Sequence, residues 1–348
     1  MEEALAENHM NKIRALFDVE FAKGLFQKEI LPQYPEFFGV SRVEINPYKE
    51  MVWETTYHVV IGFKVYFLKK SGEEELVPVV CSAHSNEPRE NVFNCLKYLW
   101  AEDFPNEHID IPKPLFYSKH FNATFYRAVE GENLLYYIKK EDRETVEKMI
   151  VYSAQLFAHL HSLPAKPEAN FNPINARIRT VVPGIEVIFR EMSARYNNRH
   201  NEYLIKVYDY FMAEEEKFFN SGEPLSLIHG DAHQENIIHT SSNKIGLIDY
   251  TDFCLGDFAR DLGTFIQQLE HKAVPKFGQE YSDKLCVLFL DTYMEISGRK
   301  LDDDLRRRIK LYHHWTSVRT AIYWFLKFGR DEKRAEELLN KIKADLKL

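Results

Sequence analysis

The chain has 348 residues, enough for two domains or one bilobal unit with a substantial core. Its 45% hydrophobic and 28% charged residues are ordinary for a globular protein, and a formal net charge of −8 argues against the broad basic face that nucleic acid requires. No apolar run approaches the roughly eighteen residues of a membrane span. The N-terminus lacks the basic start and apolar stretch of a signal peptide. Cys81, Cys95, Cys254 and Cys286 are scattered without CxxC spacing, which predicts reduced, buried thiols and a cytoplasmic protein.

Residues 1 to about 35 read as polar, amphipathic helix ending near Pro32 and Pro35. Tyr57–Leu68 and Leu76–Ser82 are rich in β-branched and aromatic residues and predict two strands, joined by the charged tip Lys69–Glu75. Ser85-Asn86-Glu87-Pro88 signals a helix start, followed by Val92, Phe93, Leu96, Leu99 and Trp100 at helical spacing. Pro112 and Pro114 precede a second strand pair, Leu115–Tyr117 and Ala123–Val129. Glu130–Asn133 is the natural hinge, because the apolar strand stops there and helical periodicity begins near Leu134. Beyond it helices dominate: 151–163, 185–194, 205–219, 261–272, 280–297 and 303–328. His161 in the first of these reads as a core histidine, and the acidic run Asp302–Asp304 as dipole compensation at a helix start.

The chemistry concentrates in Leu225–Gly263. Asp231 follows an apolar strand on a polar loop, Asn236 comes five positions later, and Asp249 thirteen after that. Between the last two, Ile237–His239 and Ile245–Ile248 flank a polar turn and predict a hairpin. Paired symmetrically, 238 faces 247, 237 faces 248 and 236 faces 249, with α-carbons of the last pair roughly 5 Å apart. An amide oxygen beside a carboxylate suits a hard divalent cation such as Mg²⁺, with Asp231 one loop away to receive a proton. His229, Asp231 and His233 also alternate as a transition-metal site on one strand would, but Gly230 and the polar run after it favour a loop.

His229-Gly230-Asp231, Asn236 and Ile248-Asp249-Tyr250, followed by Gly256-Asp257 and Asp261-Leu262, resemble the signature of the aminoglycoside phosphotransferase and choline kinase family. The resemblance implies an α+β, bilobal protein-kinase-like fold with a small antiparallel-sheet N-lobe and a larger, mainly helical C-lobe. It implies an N-terminal nucleotide-binding lobe at 1–131 (with a helical extension at 1–35) and a C-terminal catalytic and substrate-binding lobe at 132–348. By the same resemblance the enzyme uses ATP and Mg²⁺ to phosphorylate a small-molecule hydroxyl. Asp231 is then the catalytic aspartate, Asn236 and Asp249 are the metal ligands, His229 shapes the catalytic loop, and Asp261 braces it. The crossing segment at Val129 lines the nucleotide pocket. Asp252 is placed to reach the substrate.

Two features depart from that family. The strand Leu76–His84 carries no lysine to grip phosphate, although Glu90 is placed as the usual helix partner. Lys64 on the preceding strand is a candidate substitute, and His84 a second. The segment Asn46–Thr56, where a phosphate-covering loop belongs, has no glycine, leaving the Thr55 and Thr56 hydroxyls as contacts. The alternatives are therefore a degenerate relative that binds nucleotide or ligand without turnover, and a Ser/Thr protein kinase, although no activation segment separates Asp249 from Asp257. Tyr312, His313, His314, Trp315, Tyr323 and Trp324 offer either an aromatic cage for a quaternary ammonium group or core packing. The expected partner is a small hydroxyl acceptor, with no nucleic acid or membrane, and the expected state is a monomer or homodimer.

Overall fold

The computed structural model describes residues 11–241, 243–327 and 331–347, so the first ten residues of the expected N-terminal helix lie outside it. The chain divides into two compact units, 1–105 with 110–130 and 106–109 with 131–348. The architecture is α+β: an antiparallel sheet dominates the first unit and helices the second.

Within the first unit, residues 12–33 are three short pieces rather than one helix. A 3₁₀ turn at Lys12–Phe17 leads to α1 (Val19–Glu29) and a second turn at Leu31–Gln33. The Asp18 carboxylate caps α1 by accepting from Phe21 N at 2.8 Å. Then come β1 (Phe37–Val52), β2 (Tyr57–Lys69), β3 (Glu74–His84) and α2 (Glu90–Ala101), and, after the short strand β4 (Ile109–Asp110) that belongs to another sheet, β5 (Lys113–Ser118) and β6 (Ala123–Arg127). The large sheet has the order β1-β2-β3-β6-β5. Val59, Ile61, Phe63, Val65 and Phe67 point from alternate positions of β2 into one core with Ala22 and Phe26 of α1. Phe26 meets Phe63 edge-on at 4.9 Å, and Phe116 stacks on Phe125 at 4.2 Å.

Strand β1 occupies most of the segment expected to be a loop. Its Pro47 lies on an edge strand at a register shift between the pairs Pro47–Ile61 and Lys49–Val60. A missing N–H is tolerated at such an edge, so proline did not break the strand. The actual turn is only Trp53–Thr56, closed by Trp53 N donating to Thr56 O at 2.9 Å. Residues 106–109, expected with the N-terminal lobe, pack in the second unit instead, where His108 O accepts from Ile245 N at 3.0 Å.

The second unit runs through β7 (Glu132–Asn133), α3 (Leu134–Lys140), α4 (Arg143–Ser162), α5 (Ile185–Tyr196), α6 (Asn201–Phe219), β8 (Ser226–Ile228), β9 (Ile237–Ser241), β10 (Lys244–Leu247), β11 (Cys254–Gly256), α7 (Ala259–Phe277), α8 (Gln279–Ser297), α9 (Asp303–Leu326) and α10 (Glu332–Leu346). Gly131 stands before β7 at φ +139°, where a Cβ would fall 2.1 Å from His239 O. Its place at the hinge is thus one of clearance against β9. Asn133 caps α3 through Tyr136 N at 2.9 Å. Asp302 caps α9 through Leu305 N at 2.9 Å, so the acidic run is structural as expected. Helix α10 has no sequence counterpart above, because only the narrow stripe Ala335, Leu339 and Ile342 is buried. All four cysteines are buried. Among the described residues no helix is long and apolar enough to cross a membrane.

Candidate active site

Strand β8 ends at Ile228 and hands the chain to a polar loop, residues 229–235, which is fixed from below by α7. The buried Asp261 carboxylate in the first turn of α7 accepts His229 N at 2.7 Å on one oxygen and Gly230 N at 2.9 Å on the other. Burial alone favours the neutral acid, but the His161 hydrogen bond and charge outweigh it and hold the Asp261 pKa below its ordinary value. His161, 3.2 Å from that carboxylate and 2.9 Å from the Tyr293 hydroxyl, is the structural histidine its sequence context indicated. The neighbouring Arg260 guanidinium donates to Gly230 O at 2.9 Å and to Asn175 O.

Gly230 has φ +82°, and a Cβ there would fall 2.5 Å from Asp252 O, so only glycine lets the two loops touch. His229 is fully buried; its Nε2–H donates to Ile248 O at 3.0 Å, tying this loop to the segment that carries Asp249. Among the described residues His229, Asp231 and His233 do not bring three ligand atoms together as a metal site would.

Asp231 projects from the loop with 44% of its side chain exposed, and its carboxylate lies 3.4 Å from His233 Nε2. Glu235 N donates to His233 Nδ1 at 3.2 Å, so neutral His233 carries its proton on the nitrogen facing Asp231. Desolvation works to raise the Asp231 pKa, but the His233 hydrogen bond and charge, with His229 and Arg319 behind, hold it well below the usual carboxylate range. Desolvation opposes the charged form of His233 too, yet Asp231, Glu235 and Asp249 together raise its pKa. The buried Asn236 gives its amide N–H to Asp231 O at 3.0 Å and lies 3.2 Å from His233 Nε2.

The hairpin that follows differs from the expected register by one residue. Ile237 faces Leu247 and Ile238 faces Gly246, so position 236 lies opposite 248, with Ile248 N donating to Asn236 O at 3.1 Å. The reason is a bulge. Ser241 pairs with Lys244 but His239 with Ile245, leaving Thr240 over, its hydroxyl donating to Lys244 O at 2.9 Å. Asp249, one step past the ladder, takes a left-handed backbone at φ +65° and accepts the Thr251 hydroxyl at 2.7 Å. Its charge is felt at both His233 and Asp252. Asn236 and Asp249 therefore belong to one cluster with Asp231, although they are not cross-strand partners.

Asp252 completes the cluster. Burial, then the negative charges of Asp231 and Asp249, set against Arg260 and Arg319, push its pKa up to about 6. Its carboxylate accepts from the Asn175 amide at 2.5 Å. Asn175 belongs to an asparagine-rich loop that sequence reasoning passed over. Asn170 accepts Leu255 N at 3.2 Å and Asn172 donates to Thr251 O at 2.8 Å. The repeated amide in Asn170-Phe-Asn172-Pro-Ile-Asn175 was the available signal, since such side chains tie loops to loops. Arg260, Arg319 and the pairing role of His233 were also missed.

The remaining candidates lie in the first unit. Lys64 is 59% exposed and pairs with Glu44 across the β1–β2 ladder at 3.4 Å. Glu90 is exposed at the first position of α2, and the ion pair that Lys64 makes is with Glu44. Thr55 is exposed and Thr56 partly so at the β1–β2 turn, and Val129 is partly buried just past β6. The β2 side chains that point away from the core bring a different cation forward. Lys49 Nζ lies 3.2 Å from His58 Nε2, and the His58 and His84 rings meet at 4.7 Å. Burial first, then the Lys49 charge and His84, push the His58 imidazole down to about 4.

The late aromatic residues do not form an open cage. Tyr312, His314 and Trp315 are buried. Trp315 carries Arg260 and Arg319 at 5.2 and 4.8 Å, Tyr323 carries Lys327 at 4.2 Å, and Trp324 carries Arg334 at 4.3 Å. The protein's own cations take those faces.

The sequence profile of the phosphotransferase enzyme family matches residues 57–296. Among solved structures, the chain resembles a type VIII aminoglycoside-3′-phosphotransferase (19% identity, 82% of this chain and 95% of that one, TM-score 0.51). It also resembles a Plasmodium vivax ethanolamine kinase (13% identity, 86% and 81%, TM-score 0.55). A third similar structure is a spectinomycin phosphotransferase in complex with ADP and spectinomycin (12% identity, 93% and 94%, TM-score 0.53). These identities establish a shared fold. No curated protein matches the chain.

Proposed function

We propose that this chain, which belongs to the phosphotransferase enzyme family, transfers the γ-phosphoryl group of ATP to a hydroxyl of a small molecule in a Mg²⁺-dependent reaction. The observation that carries the reading is the cluster of Asp231, Asn236, Asp249 and Asp252 on a loop system locked by Asp261. Asp252, whose pKa the negative charges of Asp231 and Asp249 help to raise, forms with them a site that a divalent cation would neutralise, and the donors are all oxygen, which suits Mg²⁺. Asn236 and Asp249 would hold the ion. When bound it supplies positive charge for the phosphate oxygens.

Asp231 orients the acceptor hydroxyl and takes its proton. A carboxylate held this far down is a weak base, so the proton moves late, as the new O–P bond forms and the bond to the β-bridging oxygen breaks, its electron pair leaving on ADP. His233 keeps Asp231 ionised and aimed, while Asp261 and His229 hold the loop in place. On the nucleotide side we assign the phosphate-holding charge to Lys64, with Lys49, beside His58, as a second cation on the paired strand. Glu90, Thr55, Thr56 and Val129 stand as further nucleotide contacts. The ADP complex and the ethanolamine kinase among the structures of like fold support a nucleotide donor and a small alcohol acceptor.

The absence of a lysine on β3 favours one competing reading, a degenerate relative that binds without turnover. Thermal unfolding with and without ATP, GTP and Mg²⁺, followed by phosphorus NMR on a panel of alcohols, separates the two. Stabilisation by Mg²⁺-ATP together with a new phosphomonoester signal is the expected result. Stabilisation without any phosphoester leaves the degenerate reading, and no nucleotide effect at all overturns both.

A further inference from the structure

A cavity of about 330 Å³ opens between α5 and α9, at the small end of the range for ligand pockets. Ile188, Ile322 and Leu326 give it an apolar floor, with Tyr323 on the rim. Its charged lining is Arg319 and Lys327, with no acidic side chain among the described residues. The Arg319 guanidinium rests on Trp315 and donates to Val182 O at 3.1 Å, and Lys327 lies over the Tyr323 ring. Neither is in ion-pair contact with a carboxylate among the described residues.

The cavity is joined to the acidic cluster by an unbroken run of hydrogen bonds. Arg319 donates to Val182 O, Val182 N donates to Asn175 Oδ1 at 3.1 Å, and Asn175 Nδ2 donates to Asp252 Oδ1 at 2.5 Å. The Arg319 charge is felt at Asp231 and Asp252 alike.

We propose that this cavity seats the acceptor, and that the acceptor is a hydroxyl compound with an apolar body and an anionic group rather than a polyamine. The inference rests on the phosphotransferase reading and adds the substrate class to it. An ammonium group entering here would meet two like charges at the mouth of an apolar slot, at a cost no carboxylate in the lining offsets. A carboxylate or phosphate entering the same slot meets both cations, while its body covers Ile188 and Ile322. The excess acid of the chain as a whole does not decide the matter, since screening confines the exposed charges to their own neighbourhoods.

The test uses the full chain and two matched probes, 4-(hydroxymethyl)benzoate and 4-(hydroxymethyl)benzylamine, with binding read by calorimetry and transfer from Mg²⁺-ATP by phosphorus NMR. The benzoate is expected to bind at least about tenfold more tightly than the benzylamine. Arg319→Gln and Lys327→Gln are each expected to weaken the benzoate several-fold while leaving the amine no weaker. Lys327 is exposed past the end of α9, so its variant reports on charge even where Arg319→Gln disturbs folding. Equal or tighter binding of the amine, or benzoate affinity unchanged in Lys327→Gln, overturns the inference. Transfer to the amine probe alone overturns it while leaving the kinase reading intact. Cation-dependent benzoate binding without any nucleotide-dependent stabilisation upholds the pocket and overturns the kinase reading instead.

Discussion

Replacing Asp252 with asparagine should stabilise the protein in the absence of cation, and more so as pH rises. The native carboxyl is pushed from an ordinary value of 3.8 to about 6, by burial first and then by Asp231 and Asp249, against Arg260 and Arg319. Between those values the folded chain keeps a proton that the unfolded chain has released, so wild-type stability falls as pH rises through the window and levels off above it. A shift of roughly two units corresponds to about 3 kcal/mol at pH well above 6, and to about half of that near pH 5. Asparagine is nearly isosteric, carries no charge, and its oxygen still accepts from Asn175, so the hydrogen bond at 2.5 Å is conserved in kind. Urea unfolding of both proteins near pH 5 and pH 8 measures the difference directly. Saturating Mg²⁺ should narrow the gap, because it stabilises the charged cluster in the wild type. A variant no more stable than wild type at either pH would refute the picture of crowded, uncompensated carboxylates.

Asp231→Asn should lower turnover by roughly 10²–10⁴-fold while Mg²⁺-ATP still binds, checked by steady-state rates beside calorimetry; a wild-type rate removes Asp231 from the chemistry. Gly230→Ala, at φ +82° with Asp252 O only 2.5 Å from the new methyl, should cost at least about 2 kcal/mol in unfolding and lower activity further by displacing the loop. Lys64→Ala should weaken ATP several-fold, and calorimetry showing unchanged affinity would remove the phosphate-gripping role from Lys64.

The acidic cluster was legible because its residues lie within one short segment, where chain geometry leaves few arrangements. Even there the hairpin misled by a residue. Counting inward from a symmetric turn cannot detect the bulge at Thr240, which depends on a hydroxyl reaching Lys244 O. Strand β1 was hidden for a related reason, since Pro47 reads as a breaker until the neighbouring strand shows that it sits on an edge. Most helices in the second unit were found from their apolar spacing, and their boundaries moved outward by several residues where caps such as Asp142 extend them past the apolar stripe. What sequence could not supply was long-range pairing. Asp252 meets Asn175, Gly230 meets Arg260 and Asp261, and Lys64 meets Glu44 across separations that no local pattern encodes. The aromatic residues near the end of the chain suggested a cage only because their cationic neighbours lie elsewhere in the fold or a helical turn away.

The most direct test of the central claim is paramagnetic titration of Mn²⁺ into the protein with a non-hydrolysable ATP analogue, for wild type, Asn236→Ala and Asp249→Asn. One ion should bind per wild-type chain, and each substitution should weaken it by at least about tenfold, since Asn236→Ala removes a ligand oxygen and Asp249→Asn removes the ligand's charge. Wild-type affinity in both variants would mean that these residues hold no cation, and the phosphotransfer mechanism built on them would not stand.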